Sequence, residues 1–339
     1  MAISKTIRNF PIPYPGECLY SLFSRYHARS GNVSFQNTAE DLFGNPMYAF
    51  HSSVTTPYRL EFVQRWYPQD AETVAKKLLL YHTGFQYYCL VCRPERKEKY
   101  YEAFCQGTAE NYKPAVHMAR EISCFFHHLR YCPMCVKEEM ELYGEPYWSV
   151  IAQIDGVDFC PVHGCHLCDS SVSRNDIRSS LIPASQVLSS QELAQERPAY
   201  AYTELDCESL AFSKDVYWFL NHGAILDYNT IKRLTSNAFY RQGKDIHYGA
   251  FYARKELLMY HTSAAFKKKM EVIYITRYNL KRDDIDSNNS FPFYSGFFPT
   301  WILTIHYLFG DAENFGEAVI ADTMNIGKNS PDNNFNLYC

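Results

Sequence analysis

The sequence predicts a mainly α fold with small β elements, and three observations carry that expectation. Apolar residues recur at helical spacing through the first eighty residues. A length of 339 residues with 47% hydrophobic and 21% charged side chains provides core for two domains or three. Two short pairs of metal-type ligands stand close together in the middle of the chain, at Cys132/Cys135 and Cys160/His163. The architecture these imply is an N-terminal helical module, a zinc-finger or ribbon insert, and a C-terminal helical domain.

Taken in order, Leu19, Leu22, Phe23 and Tyr26 stand at i, i+3, i+4 and i+7 within residues 17–30, one apolar face of a helix. Gly31-Asn32 breaks it, and Ser34 caps a second short helix through Ala39, Leu42 and Phe43 that ends at Gly44-Asn45-Pro46. Residues 57–66 and 70–82 read as further amphipathic helices, the second with Val74, Leu78 and Tyr81 on one side. Residues 83–105 mix aromatics with Arg93, Arg96, Lys97 and Lys99 and receive no element of their own, while 109–126 return to helical spacing. In the insert, 136–143 is helix-like and 147–159 favours β structure. Residues 170–198, rich in Ser, Gln and Asn, read as a linker. Helical patterns resume over 205–220, 229–240 and 251–269, and 322–339 reads as a polar tail. The expected domains are therefore 1–169, a linker at 170–198, a helical domain at 199–321, and the tail.

Lys and Arg total 33 against 37 Asp and Glu, a net charge of −4, so any nucleic-acid binding must come from local patches. Arg25 and Arg29 share a helix face, Arg93 to Lys99 form a cluster, and Lys267, Lys268 and Lys269 form another. A solvated surface explains each equally well, since Glu95 and Glu98 are interleaved. The first fifteen residues lack an apolar signal region, and the most apolar stretch, 296–310, is broken by Pro299, Thr300, Thr304 and His306. The expected setting is cytoplasmic, without a membrane partner. Phosphate-loop, HExxH and GxSxG signatures are missing, and Gly327-Lys328 lacks its upstream glycine. Asp283, Asp284 and Asp286 read as a solvated loop rather than a Mg²⁺ site. No catalytic residue is expected, and the chain does not read as an enzyme.

Twelve cysteines in a chain this long, without an export signal, point to metal rather than disulfides. Cys132 and Cys135 are separated from Cys160 and His163 by 24 residues, and Pro133 and Pro161 stiffen the two turns. Three thiolates and an imidazole fill the tetrahedral sphere of one structural Zn²⁺, leaving no open position. That closure argues against a metal-dependent nuclease or hydrolase. Cys165, His166 and Cys168 read as neighbours of this site or as part of a second. Cys89 and Cys92, with Cys105 and Cys124, pose the same choice, and ordinary unpaired cysteines fit both sets.

Several segments resemble the TniQ/TnsD family of transposition target-selection proteins. Phe10-Pro11-Ile12-Pro13-Tyr14-Pro15-Gly16-Glu17 followed by Leu19-Tyr20-Ser21-Leu22 is similar to the family's opening, and residues 82–88 to its His-Thr-x-Phe segment. The most specific match is Arg130-Tyr131-Cys132-Pro133-x-Cys135, Tyr143-Gly144-Glu145, Trp148, Gly156-Val157 and Cys160-Pro161-x-His163-Gly164. The resemblance covers roughly the first half and implies a helix-turn-helix at the N-terminus and a zinc module on Cys132, Cys135, Cys160 and His163. It further implies binding to double-stranded target DNA and recruitment of an AAA+ ATPase that activates the transposase. In shorter members it implies docking on an RNA-guided CRISPR effector instead. Arg25, Arg29, Lys267, Lys268 and Lys269 are the candidate DNA contacts. A protein-only adaptor is the remaining class, and salt-dependent DNA binding separates it from the first.

Overall fold

The structure, a computed structural model, describes residues 7, 9–48, 50, 54, 55, 59–90, 92–107, 127–173, 175–188, 202–223, 226–242, 258, 261–278 and 298–329. The expected helix at 109–126, the start of the one at 251–269, Cys124 and the acidic run at 283–286 lie outside them.

Helix α1 (Leu19–Ser30) buries Leu19, Leu22, Phe23 and Tyr26, as the spacing predicts, and stops at Gly31 in the left-handed region. Helix α2 (Phe35–Phe43) starts at Ser34, whose hydroxyl accepts the Asn37 amide. Phe23 packs against Phe43, Phe50 and Trp66 with ring centroids 5.2–5.6 Å apart, and Phe10 stacks on Trp66 at 5.2 Å. A 3₁₀ turn (Leu60–Phe62), α3 (Val63–Trp66), α4 (Ala71–Tyr81), α5 (Phe85–Tyr88) and α6 (Pro94–Cys105) follow. Within the helix expected over 57–66, the described residues are helical from Leu60 onward, and Arg59 before them sits at φ 58°. The stretch at 83–105 holds two helices, the longer opened by Pro94 at its first position, where a missing N–H is harmless.

Strands β1 (His128–Tyr131) and β2 (Cys168–Ser173) pair antiparallel, with Arg130 opposite Asp169 and Tyr131 opposite Cys168. Helix α7 (Pro133–Tyr143) follows β1. The β-favouring residues 147–159 form no strand; they hold a 3₁₀ turn (Ile151–Gln153) and isolated bridges. Their backbone is committed elsewhere. The Cys18 amide donates to the Trp148 carbonyl, the Val150 amide to Gly16, and the Trp148 amide to Ser21 Oγ. Trp148, Val150, Ile154 and Val157 are then buried against the N-terminal segment as a plug.

Residues 170–188 are not a linker. They contain most of β2, α8 (Asp176–Ser179) and α9 (Ala184–Val187), and they bury Val172, Ile177, Leu181, Ala184 and Leu188. Tyr20 Oη donates to the Ser180 carbonyl and accepts the Ile182 amide, and Trp148 Nε1 donates to the Ile182 carbonyl. The polar composition there comes from local turns such as Ser173–Asp176.

Helix α10 (Glu204–His222) opens with a Thr203/Asp206 capping box, and α11 (Tyr228–Arg241) is capped by Asp227. Helices α12 (Ala264–Tyr278), α13 (Phe298–Phe309) and α14 (Ala312–Asn329) complete the described part. Lys267 to Lys269 therefore fall in the first half of α12, not at a helix end, and the expected tail is helical up to Asn329. Within the apolar stretch at 296–310, the described residues form α13, which buries Ile302, Thr304 and Ile305. Among the described residues no helix is long and apolar enough to cross a membrane. Helix α10 also touches the N-terminal half: Gln86 Nε2 donates to the Leu220 carbonyl, and one hydrophobic cluster includes residues of both halves.

Two predictions arise from this packing. Gly316 lets α14 lie against Trp218, because a Cβ there falls inside van der Waals contact of the indole, with Cη2 at 2.9 Å. Gly316→Ala is expected to destabilise by about 1–3 kcal/mol in urea unfolding, overpacking outweighing the ~1 kcal/mol of helix propensity gained. An unchanged midpoint refutes it. Secondly, His306 Nδ1 lies 2.7 Å from Asp215 Oδ2, and Asp215 Oδ1 accepts the Ala312 amide. The hydrogen bond to Asp215 raises the His306 pKa despite burial, with Asp311 and Glu208 adding to it. A folded pKa above the unfolded one gives stabilisation that is full below 6.5 and lost as pH rises through the raised value. Thermal melts should show that loss, and His306→Gln should flatten this part of the profile.

Candidate metal centre

Cys132 sits where extended β1 turns into α7, and its Sγ accepts the Cys135 amide at 3.4 Å, so the ligand is also the helix cap. The second knuckle repeats the device: Cys160 Sγ accepts the His163 amide at 3.4 Å, and the Cys160 amide donates to the Cys165 carbonyl at 2.8 Å. Gly164 takes φ 68° to turn the chain back.

The four ligand atoms lie within 4.8 Å of one another. His163 Nδ1 is 3.5 Å from Cys132 Sγ, 3.4 Å from Cys135 Sγ and 3.5 Å from Cys160 Sγ, and Cys135 Sγ is 3.7 Å from Cys160 Sγ. Zinc bonds of about 2.3 Å to sulfur and 2.0–2.1 Å to nitrogen place tetrahedral S···S edges near 3.8 Å and S···N edges near 3.6 Å. The donor set fits the ion. His163 Nε2 lies 3.0 Å from Glu138 Oε1, which fixes the proton on Nε2 and leaves Nδ1 to the metal. Sequence reading missed Glu138; its place three residues after Cys135, one helical turn along α7, was the available signal.

Cys165 Sγ packs 3.4 Å from Cys132 Sγ, a neighbour of the quartet rather than a member. His166 lies over Phe159 and faces Asp206, and Cys168 opens β2. Among the described residues, neither these three nor Cys89, Cys92 and Cys105 assemble a second donor cluster.

The proposed DNA contacts divide. Arg25 is 3% exposed and points inward: its guanidinium donates to Glu17 Oε2 at 2.7 Å, to Glu145 Oε1 at 2.8 Å and to the Ile12 carbonyl, and lies 3.7 Å from the Tyr14 ring centroid. It has no surface to offer a phosphate, a correction that follows from the buried acids around it. Arg29 is 51% exposed and also holds Glu145. Lys269 is turned in as well, with Nζ 2.8 Å from Asp158 Oδ2 and 3.0 Å from Ser209 Oγ; burial lowers its pKa. Lys268 is exposed and Lys267 half-exposed on α12.

Glu17, fully buried, also accepts from Ser21 and the Tyr14 amide; burial raises its pKa to about 7 against the pull of Arg25. At Glu145 burial raises the pKa, but Tyr14, Arg25 and Arg29 together bring it below the ordinary value. Both acids belong to the quoted Pro-Gly-Glu and Tyr-Gly-Glu motifs, to which sequence reading gave no role.

Fold and site thus define a mainly helical domain organised around a three-cysteine, one-histidine cluster whose geometry suits a metal ion. Residues 9–167 match the TniQ family model. It is also 28% identical over 165 residues to the transposon Tn7 transposition protein TnsD of Escherichia coli. That alignment covers 47% of this chain and 31% of the relative, so under a third of the relative's length is matched.

Proposed function

We propose that this chain is a transposition target selector that holds one structural Zn²⁺, binds target DNA and recruits an AAA+ ATPase, and through it the transposase, in the bacterial cytoplasm. The observation that carries this reading is the TniQ match, within which all four metal donors and the buried Glu17–Arg25–Glu145 network fall. The proposed role is one of binding and positioning, without a catalytic step. The zinc ties β1, α7 and the second knuckle into a platform, with the closed ligand set leaving water no place on the ion.

A second reading, an adaptor docked on an RNA-guided CRISPR effector that recruits the same ATPase, draws support from the charge. The net charge is −4, and two of the five candidate cations are tied into the fold. Binding of the purified chain to genomic and random DNA fragments across a salt series separates the two. Direct reading predicts fragment-specific retention whose log K falls by about 0.9 per phosphate contact per log unit of salt. No affinity despite full zinc occupancy transfers the role to the adaptor, and failure to retain the ATPase in a pull-down overturns both.

A further inference from the structure

A cavity of about 240 Å³ opens between the Pro15-Gly16 turn, the two knuckles and helix α10. Pro15, Cys135, Val162 and Tyr217 are among its walls, and most of the lining is apolar. Glu139 is the charged residue among its described lining. That side chain is only 7% exposed; its Oε2 accepts the Tyr147 amide at 3.1 Å, while Oε1 takes no hydrogen bond and meets no cation among the described residues. A carboxylate taken out of water without a counter-charge is unfavourable, and burial pushes the Glu139 pKa up to about 8; a cation placed against the unengaged Oε1 would restore the ionised form, so the wall is complementary to a cation. Asn221, also in the lining, uses Nδ2 on the Tyr217 carbonyl and leaves its side-chain oxygen as a second acceptor. Cys135 and Cys160 line the cavity too, and with zinc bound the three thiolates outweigh the ion's two positive charges.

From this geometry we infer that the cavity is a socket for one lysine or arginine side chain of an extended segment of a partner protein, the aliphatic stem lying along the apolar wall and the cationic head reaching Glu139 Oε1. The volume is below the roughly 300–1,000 Å³ of sites for drug-sized ligands and suits a single long side chain. The rim is apolar and open, with Val162 61% and Tyr217 40% exposed, and supplies contact for residues flanking the inserted one. A free amine has nothing to place there.

The test uses the full, zinc-loaded chain and fluorescein-labelled peptides Ser-Ala-X-Ala-Ser with X lysine, arginine or norleucine, read by fluorescence anisotropy. The cationic peptides should bind about tenfold tighter than norleucine or better, the range of a charge-assisted hydrogen bond. Glu139→Gln should erase that preference while leaving norleucine binding and zinc content unchanged. Equal affinities, or a preference that survives Glu139→Gln, overturn the socket. Competition by n-butylamine as strong as that of the lysine peptide overturns the peptide source. Tyr217→Ala, which leaves Glu139 in place, should weaken all three peptides together, and unchanged binding overturns the rim contact. None of these readouts involves DNA or the ATPase, so the socket and the proposed function fail separately.

Discussion

Cys132→Ser is expected to abolish stoichiometric zinc binding, remove the cooperative melting transition of the insert and lower solubility. The size of the effect follows from where the residue sits. Cys132 is at once a donor, the residue that follows β1 and the cap of α7, so its loss removes a ligand and a helix start together. Structural zinc contributes about 10–16 kcal/mol to small zinc-dependent folds, comparable to or larger than the ~5–15 kcal/mol that keeps a whole domain folded. The insert is not an appendage: Trp148 and Ile154, just before the second knuckle, are fully buried in the same cluster as Leu19 and Phe23. Loosening the knuckles should therefore expose core shared with α1, and a chelator should reproduce the variant. Inductively coupled plasma analysis with differential scanning calorimetry on one sample checks both, and an unchanged zinc content with an unchanged transition sinks the expectation.

How much of this was legible depends on whether the cause lay within a few residues or across the chain. The quartet was readable because each half is a turn of four residues with a fixed ligand spacing. Helices α1 and α2 were readable because their apolar faces repeat within one element; α4 was readable as a helix, but Tyr81 of its expected face is 43% exposed and Ala75 and Leu79 are buried beside Leu78. Residues 147–159 were misread because a buried run of Trp148, Val150, Ile154 and Val157 looks the same whether its backbone pairs with a strand or with the Gly16–Cys18 segment. Residues 170–188 were misread for the converse reason. Serines and asparagines signal loops, but these serve short turns between buried anchors whose partners, Tyr20 and Trp148, lie far away in sequence. The cations failed most clearly. Spacing put Arg25 and Arg29 on one face, yet it held no information about Glu145, 120 residues beyond Arg25, which holds Arg25 inward while Arg29 stays half exposed.

Arg25→Ala should destabilise the chain by about 3–5 kcal/mol, the range for removing one partner of a buried ion pair. The side chain is 3% exposed and Glu17 fully buried, so water cannot take over the lost contact. Glu17 would keep Ser21 and the Tyr14 amide but lose its cationic partner, and the Ile12 carbonyl and the Tyr14 ring would lose theirs as well. The loss should exceed that of Arg29→Ala, since Arg29 is half in water and such pairs contribute about 1 kcal/mol or less. Above the raised Glu17 pKa, where the lone carboxylate is ionised, Glu17→Gln in the Arg25→Ala background should recover part of the stability, because the amide leaves no buried charge behind. The DNA-contact reading of Arg25 makes the opposite forecast: melting close to wild type and a salt slope of DNA binding reduced by about one. Urea denaturation of the two single variants and the double variant, followed by DNA titration of whichever fold, decides between a residue that holds the N-terminal opening onto the loop after α7 and one that meets phosphate. The geometry of Glu17, Glu145 and Tyr14 around the guanidinium favours the former, with the melting temperature the first quantity to move.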